Sequence, residues 1–158
     1  VSCRCQLVNL IVERSPTIKW YTDLYPLFPL VESVVRQHVW LWSDIEVAAE
    51  LPIACDHRGA CWIDGDKLFD FICRRPQFIW SVLSAIPAES RRVAEEVDCV
   101  PFADGNRSFW VGSTTPQHPM ASFEIVCWDS SATLLIGANA ELAEAFRLAY
   151  PDAVCLDG

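Results

Sequence analysis

Lysine is almost missing from this chain, which has only Lys19 and Lys67 against ten arginines. With 21 acidic residues the formal net charge is −9. Binding nucleic acid or an anionic membrane needs a basic face, so the balance argues against both. Glycine is scarce as well, at six residues, which is few for a loop that cradles phosphate. No G-x-S-x-G, Walker, dinucleotide-binding or H-E-x-x-H pattern is present. No apolar run approaches the ~18 residues needed to span a bilayer, because charge or proline interrupts each cluster, as in "YPLFPLVESVV". The N-terminal "VSCRCQLVNLIVERS" has no basic region ahead of an apolar one, so it reads as a strand rather than a secretion signal. The expected compartment is the cytoplasm. The preference for arginine over lysine fits a GC-rich bacterial genome.

What is abundant is apolar surface. Of 158 residues 52% are hydrophobic, including seven Trp and eight Phe, which suffices for one domain with its own core. The acidity is uneven. Residues 1–80 carry eight Lys/Arg and ten Asp/Glu, a net of −2, whereas residues 81–158 carry four and eleven, a net of −7. A surface of one sign steers an oppositely charged partner. Glu95, Glu96, Asp98, Asp104, Glu124 and Asp129 are therefore the candidate partner-binding residues.

Eight cysteines invite a disulfide framework, but Cys73, Cys127 and Cys155 lie within apolar patterns and are expected as reduced core thiols. The stretch "IACDHRGACW" concentrates Cys55, Asp56, His57 and Cys61. Zinc usually takes two close ligand pairs, and no second pair follows at a matching distance, so no metal site or cofactor is expected. A cysteine nucleophile needs a base and an electropositive setting. Asp56 works against the second requirement. The stretch is read as a polar turn with Cys55 and Cys61 buried at its ends, and a Cys55/His57-centred enzyme is the alternative. Asp64, Asp66 and Asp70 suggest calcium, but Arg75 occupies the position where an EF-hand loop needs Glu, so Asp64 and Asp66 are read as cap and turn residues.

Along the chain, residues 3–13 read as a strand and Leu27 to His38 as a helix entered through Pro26 and Pro29. "SDIE", Ser43 to Glu46, has the form of a capping box and predicts a short helix to Leu51. "CWI" reads as a strand, followed by a helix with Leu68, Phe69 and Ile72. Helical spacing of Phe78, Ile79, Val82, Leu83 and Ile86 predicts another helix, and residues 88–97 a polar one. "SFWVG", "SFEIVCWD" and "ATLLIGA" read as strands, the last two forming a hairpin through Asp129–Ser131. Asn139 caps a helix carrying Leu142, Ala145, Phe146 and Ala149, and "AVCL" closes the chain as a strand. Trp40 and Trp42 alternate with Leu41, so one side of that segment is expected at the surface. The pattern predicts an α+β fold, a mainly antiparallel sheet covered on one face by several helices, in a single domain over residues 1–158.

The C-terminal "FEIVCWDSSATLLIGANAELAEAFRLAYPDAVCLDG" resembles the ends of small acidic bacterial immunity proteins, the cytosolic antidotes to polymorphic or contact-dependent toxins. In both, a strand, an acidic turn and a strand precede a short helix ending in "YPDA". The resemblance covers about 35 of the 158 residues. It implies a non-enzymatic inhibitor of a cognate toxin, and it assigns no individual residue. Many toxin domains that act on nucleic acid are basic, so an acidic inhibitor fits electrostatically. A ligand-binding regulatory module with a tryptophan-lined pocket is a further alternative.

Overall fold

Apolar strands that cannot be left half exposed dictate the architecture. A computed structural model describes residues 6–13, 16, 20–111 and 113–156. Seven strands form one antiparallel sheet: β1 (Val8–Val12), β2 (His38–Val47), β3 (Cys61–Asp64), β4 (Phe78–Pro87), β5 (Phe123–Trp128), β6 (Ala132–Ala138) and β7 (Val154–Cys155). Their order is β3-β2-β4-β5-β6-β1-β7, with β5 at the centre. The two edges are the shortest strands, which limits the unpaired backbone offered to other chains. Among the described residues four α-helices complete the fold: α1 (Glu32–Gln37), α2 (Gly65–Cys73), α3 (Arg91–Glu95) and α4 (Ala140–Ala149). The described residues thus form the α+β architecture expected from the sequence. Cys3, Cys5 and Ser15 lie outside the described residues.

Both faces of the sheet are covered, not one. Trp40, Trp42, Leu83, Phe123, Ile125 and Leu135 face a layer made by α1, α2 and α4. Val82, Val126, Leu134 and Ile136 meet Ala103 and Phe109, while Val39 and Ile86 meet Ala94 of α3. The second cover is therefore α3 and the long segment that follows it. Trp40 and Trp42 are both fully buried, against the expectation of an exposed side. Each keeps its indole N–H satisfied, Trp40 donating to the Val35 carbonyl (3.1 Å) and Trp42 to Ser81 Oγ (2.6 Å).

Two predicted helices are strands. Phe78–Pro87 is β4, buried along nearly its whole length. Ser43–Glu46 belongs to β2, and its polar side chains cap a different segment. Ser43 Oγ donates to the Pro101 carbonyl (2.7 Å), and the Asp44 carboxylate accepts from the amides of Ala103 (2.7 Å) and Asp104 (2.8 Å). Asp44 reaches them from a bulge, with φ of 50° and a register shift between Ser43 and Glu46. Of "SFWVG", Ser108, Phe109 and Trp110 belong to a 3-10 turn over Arg107–Trp110 rather than a strand, capped by Asn106, whose oxygen accepts from the Ser108 amide (3.0 Å), and Gly112 lies outside the described residues.

Elsewhere local signals agree with the fold. The Leu27–His38 segment is a 3-10 turn over Phe28–Val31 leading into α1. The β5–β6 hairpin turns through Asp129 and Ser130, both at positive φ as a type I′ turn requires. Asn139 accepts from the Leu142 amide (2.9 Å) at the start of α4, which buries Leu142, Ala143 and Phe146. Asp64 stands before α2, yet its carboxylate faces Arg91 (3.4 Å) instead of capping. α1 and α2 cross very closely at Gly65, where a Cβ would stand 2.1 Å from the Val35 carbonyl oxygen.

Candidate functional site

The candidate acidic residues do not form one patch. Glu95, Glu96 and Asp98 are exposed on and just after α3, which packs on Ile86 near the end of β4. Asp104 and Asp129 are exposed near the start of the same strand. Asp104 lies on the Asp44 bulge, and Asp129 follows Trp128, whose ring meets that of Trp80. From Trp80 to Ile86 the strand covers about 20 Å, so the two groups are separate. The α3 group is partly neutralised: Glu95 pairs with Arg91 (2.8 Å), and Asp98 approaches Arg58 (3.7 Å).

Glu124 is no surface residue at all. It lies on the central strand, faces the second cover and is 0% exposed. Its Oε1 accepts from Ser84 Oγ (2.9 Å) and the His118 amide (3.0 Å), and Oε2 accepts from the Gln117 amide (2.8 Å). Burial pushes its pKa up, and the three donors oppose that shift only in part. Glu124 thus anchors the covering segment to the sheet. Its contact with His118 is to the main chain. The ring accepts at Nδ1 from the Met120 amide (3.2 Å), which assigns the ring proton to Nε2. Burial lowers the His118 pKa, with the Ala94 carbonyl opposing.

The site that sequence reasoning missed is an aromatic stack at the start of β4. Trp80 meets Trp128 at 5.0 Å between ring centroids, and Trp128 meets Trp110 edge-on at 5.2 Å and Phe109 at 6.0 Å. Trp110 is 43% exposed, with Val111 and Phe102 exposed beside it in sequence or on the same segment. Glu46 is the cross-strand partner of Trp80. Asp44, Glu46, Asp104 and Asp129 therefore border an apolar, partly open ring cluster. The arrangement is an aromatic centre with a charged rim, the composition of a protein-binding hot spot.

The "IACDHRGACW" stretch is a turn, as expected, with one correction: Cys61 is buried but Cys55 is exposed. Cys73 and Cys155 are exposed too, because they fall at the outer side of the end of α2 and on an edge strand. Asp56 is used inside the turn. Its Oδ1 accepts from the amides of Arg58 (2.8 Å) and Ala60 (3.2 Å), and its Oδ2 takes the Arg58 guanidinium (3.0 Å). These donors hold the Asp56 carboxyl below its usual pKa. A carboxylate so engaged does not orient His57 as a base. Among the described residues no group of three or more His, Cys, Asp or Glu side chains is placed to hold a metal ion. None of the described helices is long and apolar enough to cross a membrane.

A cleft of about 360 Å³ lies between α1, α4 and the sheet, walled by Leu30, Val34, Phe123, Leu142 and Ala145. His38 and Glu141 also line it. His38 Nδ1 lies 2.7 Å from the Val34 carbonyl, which puts the ring proton there and leaves Nε2 as an acceptor. No tryptophan lines this cleft. Trp20 borders a second cleft, of about 410 Å³, beside Arg74 and Arg75.

No protein family, curated protein or solved structure matched the chain.

Proposed function

We propose that this chain is a non-enzymatic binding protein that neutralises a basic protein partner, in the manner of the immunity proteins its C-terminal third resembles. The observation that carries the reading is the partly open Trp80–Trp128–Trp110 stack bordered by Asp44, Glu46, Asp104 and Asp129. Tryptophans supply large contact area at low conformational cost, and the carboxylates steer and orient a cationic partner. Half of the candidate acidic set, Glu95, Glu96 and Asp98, belongs to a secondary surface whose charge is partly cancelled by Arg91 and Arg58.

The test is comparative capture from lysate of the source organism, at low and moderate salt, with wild type, Trp110→Ala and Asp104→Lys/Asp129→Lys. The expected result is one basic partner, bound in equal stoichiometry, whose affinity falls about 30-fold with Trp110→Ala, the loss of ~2 kcal/mol typical of a hot-spot residue. The lysine pair should slow association and flatten its salt dependence. Co-expression should then relieve the toxicity of the captured protein. A partner held equally by all three variants refutes the placement. Absence of any stoichiometric partner at low salt refutes the inhibitor reading.

The cleft at His38 favours a second reading, a small-ligand module, because its size and apolar walls fall in the range of ligand pockets. Titration with phenethylamine and with hydrocinnamate, followed by chemical shifts of Val34, Phe123 and Leu142, separates the two. Saturable shifts in those residues support the ligand module, and unchanged spectra exclude it for these probes.

A further inference from the structure

The turn from Cys55 to Cys61 has a use that partner binding does not require. Asp56 and Ala60 face each other across it, with the Asp56 amide donating to the Ala60 carbonyl at 2.7 Å. Inside the pair, the Gly59 amide donates to the Asp56 carbonyl at 3.0 Å, and Gly59 takes a φ of 73°. One step further out stand Cys55 and Cys61. They flank the Asp56–Ala60 hydrogen bond, where the chain turns back on itself outside any strand pair. Residues opposed across an antiparallel chain reversal stand about 4.5–5.5 Å apart at Cα. A disulfide accepts Cα separations of about 4.4–6.8 Å. The two thiols lie close enough to influence each other's charge.

We propose that Cys55 and Cys61 are a modification site: a preformed dithiol that closes to an intramolecular disulfide by exchange with a low-molecular-weight disulfide of the oxidised-glutathione class. The exposure of the two sulfurs fixes the order of events. Cys55 is exposed and Cys61 is buried at the start of β3, opposite Trp42. The Cys55 thiolate attacks one sulfur of the external disulfide. Its S–S bond breaks, and one thiolate leaves with the electron pair and takes up a proton. Cys55 then carries the other half as a mixed disulfide. Cys61 loses its proton and attacks the Cys55 sulfur, expelling the second thiolate, which is protonated in turn. The dithiol has lost two electrons and two protons, and the external disulfide has become two thiols. Burial pushes the Cys61 thiol up, and it still acts once Cys55 is a mixed disulfide, so the second step is the slow one and quickens as pH rises. Closure locks the turn that carries Arg58 against Asp98, at the end of α3.

The experiment incubates the folded protein with oxidised glutathione, quenches with acid, alkylates free thiols and maps peptides by mass. The expected product is a Cys55–Cys61 link formed with the mass loss of two hydrogens, while exposed Cys73 and Cys155 take only glutathione adducts. Held in a glutathione buffer, the link should be favoured by about tenfold or more in the folded protein over the urea-unfolded one, since the fold holds the thiols together. Cys61→Ser should trap the adduct on Cys55, and Cys55→Ser should leave Cys61 unmodified. Cys55 is exposed, so its serine variant keeps the core intact. A stable glutathione adduct on wild-type Cys55, a link to any other cysteine, or equal closure in urea overturns the proposal.

Discussion

Replacing Glu124 by alanine tests the account of the second cover most directly. The side chain stands on the central strand at 0% exposure and accepts from two main-chain amides and one hydroxyl. Alanine strands the amides of Gln117 and His118. Each unsatisfied buried donor costs about 1–3 kcal/mol. Removing a carboxylate that burial disfavours returns part of this, which leaves a net loss of about 3 kcal/mol at neutral pH. For a chain of this size that is a fall in Tm of about 6–12 °C. Glu124→Gln keeps the shape and one acceptor oxygen, so it should lose less, about 1–2 kcal/mol. The pH dependence has a definite sign. The folded pKa of Glu124 is raised above the unfolded value near about 4.3. Between the two, the native state holds a proton that the unfolded chain has released, so stability from this group declines as pH rises through the window. The deficit of Glu124→Ala relative to wild type is therefore largest in acid and narrows as pH rises through the folded pKa. Urea denaturation of both proteins from about pH 4 to pH 7 measures it. A variant as stable as wild type refutes the anchoring role. A gap that widens toward neutral pH refutes the dominance of burial over the three donors.

Four further outcomes follow from the packing. Gly65→Ala forces a Cβ to 2.1 Å from the Val35 oxygen and 2.8 Å from Arg36 Cα, both main chain, and should cost about 3 kcal/mol or more in urea denaturation. Gly59→Ala meets nothing within 4 Å and should cost only about 1 kcal/mol, from its positive φ alone. Asn139→Ala removes the cap of α4 and should lower stability by about 1 kcal/mol, with faster amide exchange at Leu142. Tyr150→Phe deletes the buried bond from the phenol to the Asp23 carbonyl (2.6 Å) and should cost about 1–1.5 kcal/mol by thermal denaturation.

Elements whose pattern reflects one partner surface could be read directly. α4 shows an Asn cap, an acidic first turn and a single apolar stripe because only one side of it is buried. The β5–β6 hairpin is announced by its polar turn between two apolar runs. β4 fails this test for a physical reason. Covered on both faces, it has no polar alternation, and its apolar residues fall at 78, 79, 82, 83 and 86 in helical spacing by coincidence. Length and proline at both ends did not separate the two cases. The "SDIE" signal misled in a related way: Ser43 and Asp44 do satisfy orphan backbone groups, but those of the Pro101–Asp104 segment, about sixty residues away.

The same reasoning explains the site. Charge is visible in a sequence, and Glu95, Glu96, Asp98, Asp104 and Asp129 are exposed. Glu124 had a legible warning. It alternates with Val126 in a strand whose other residues are apolar, and a carboxylate in a strand buried on both sides has no route to water. The aromatic stack had no such signal. Trp80, Trp110 and Trp128 are separated by 30 and 18 positions, and what unites them is the antiparallel register of β4 with β5 together with a 3-10 turn that sequence reasoning took for a strand. An aromatic cluster assembled across a sheet becomes visible only once strand order is known. The proposed partner binding therefore rests on tertiary placement, with charge proposed for the steering rather than the address.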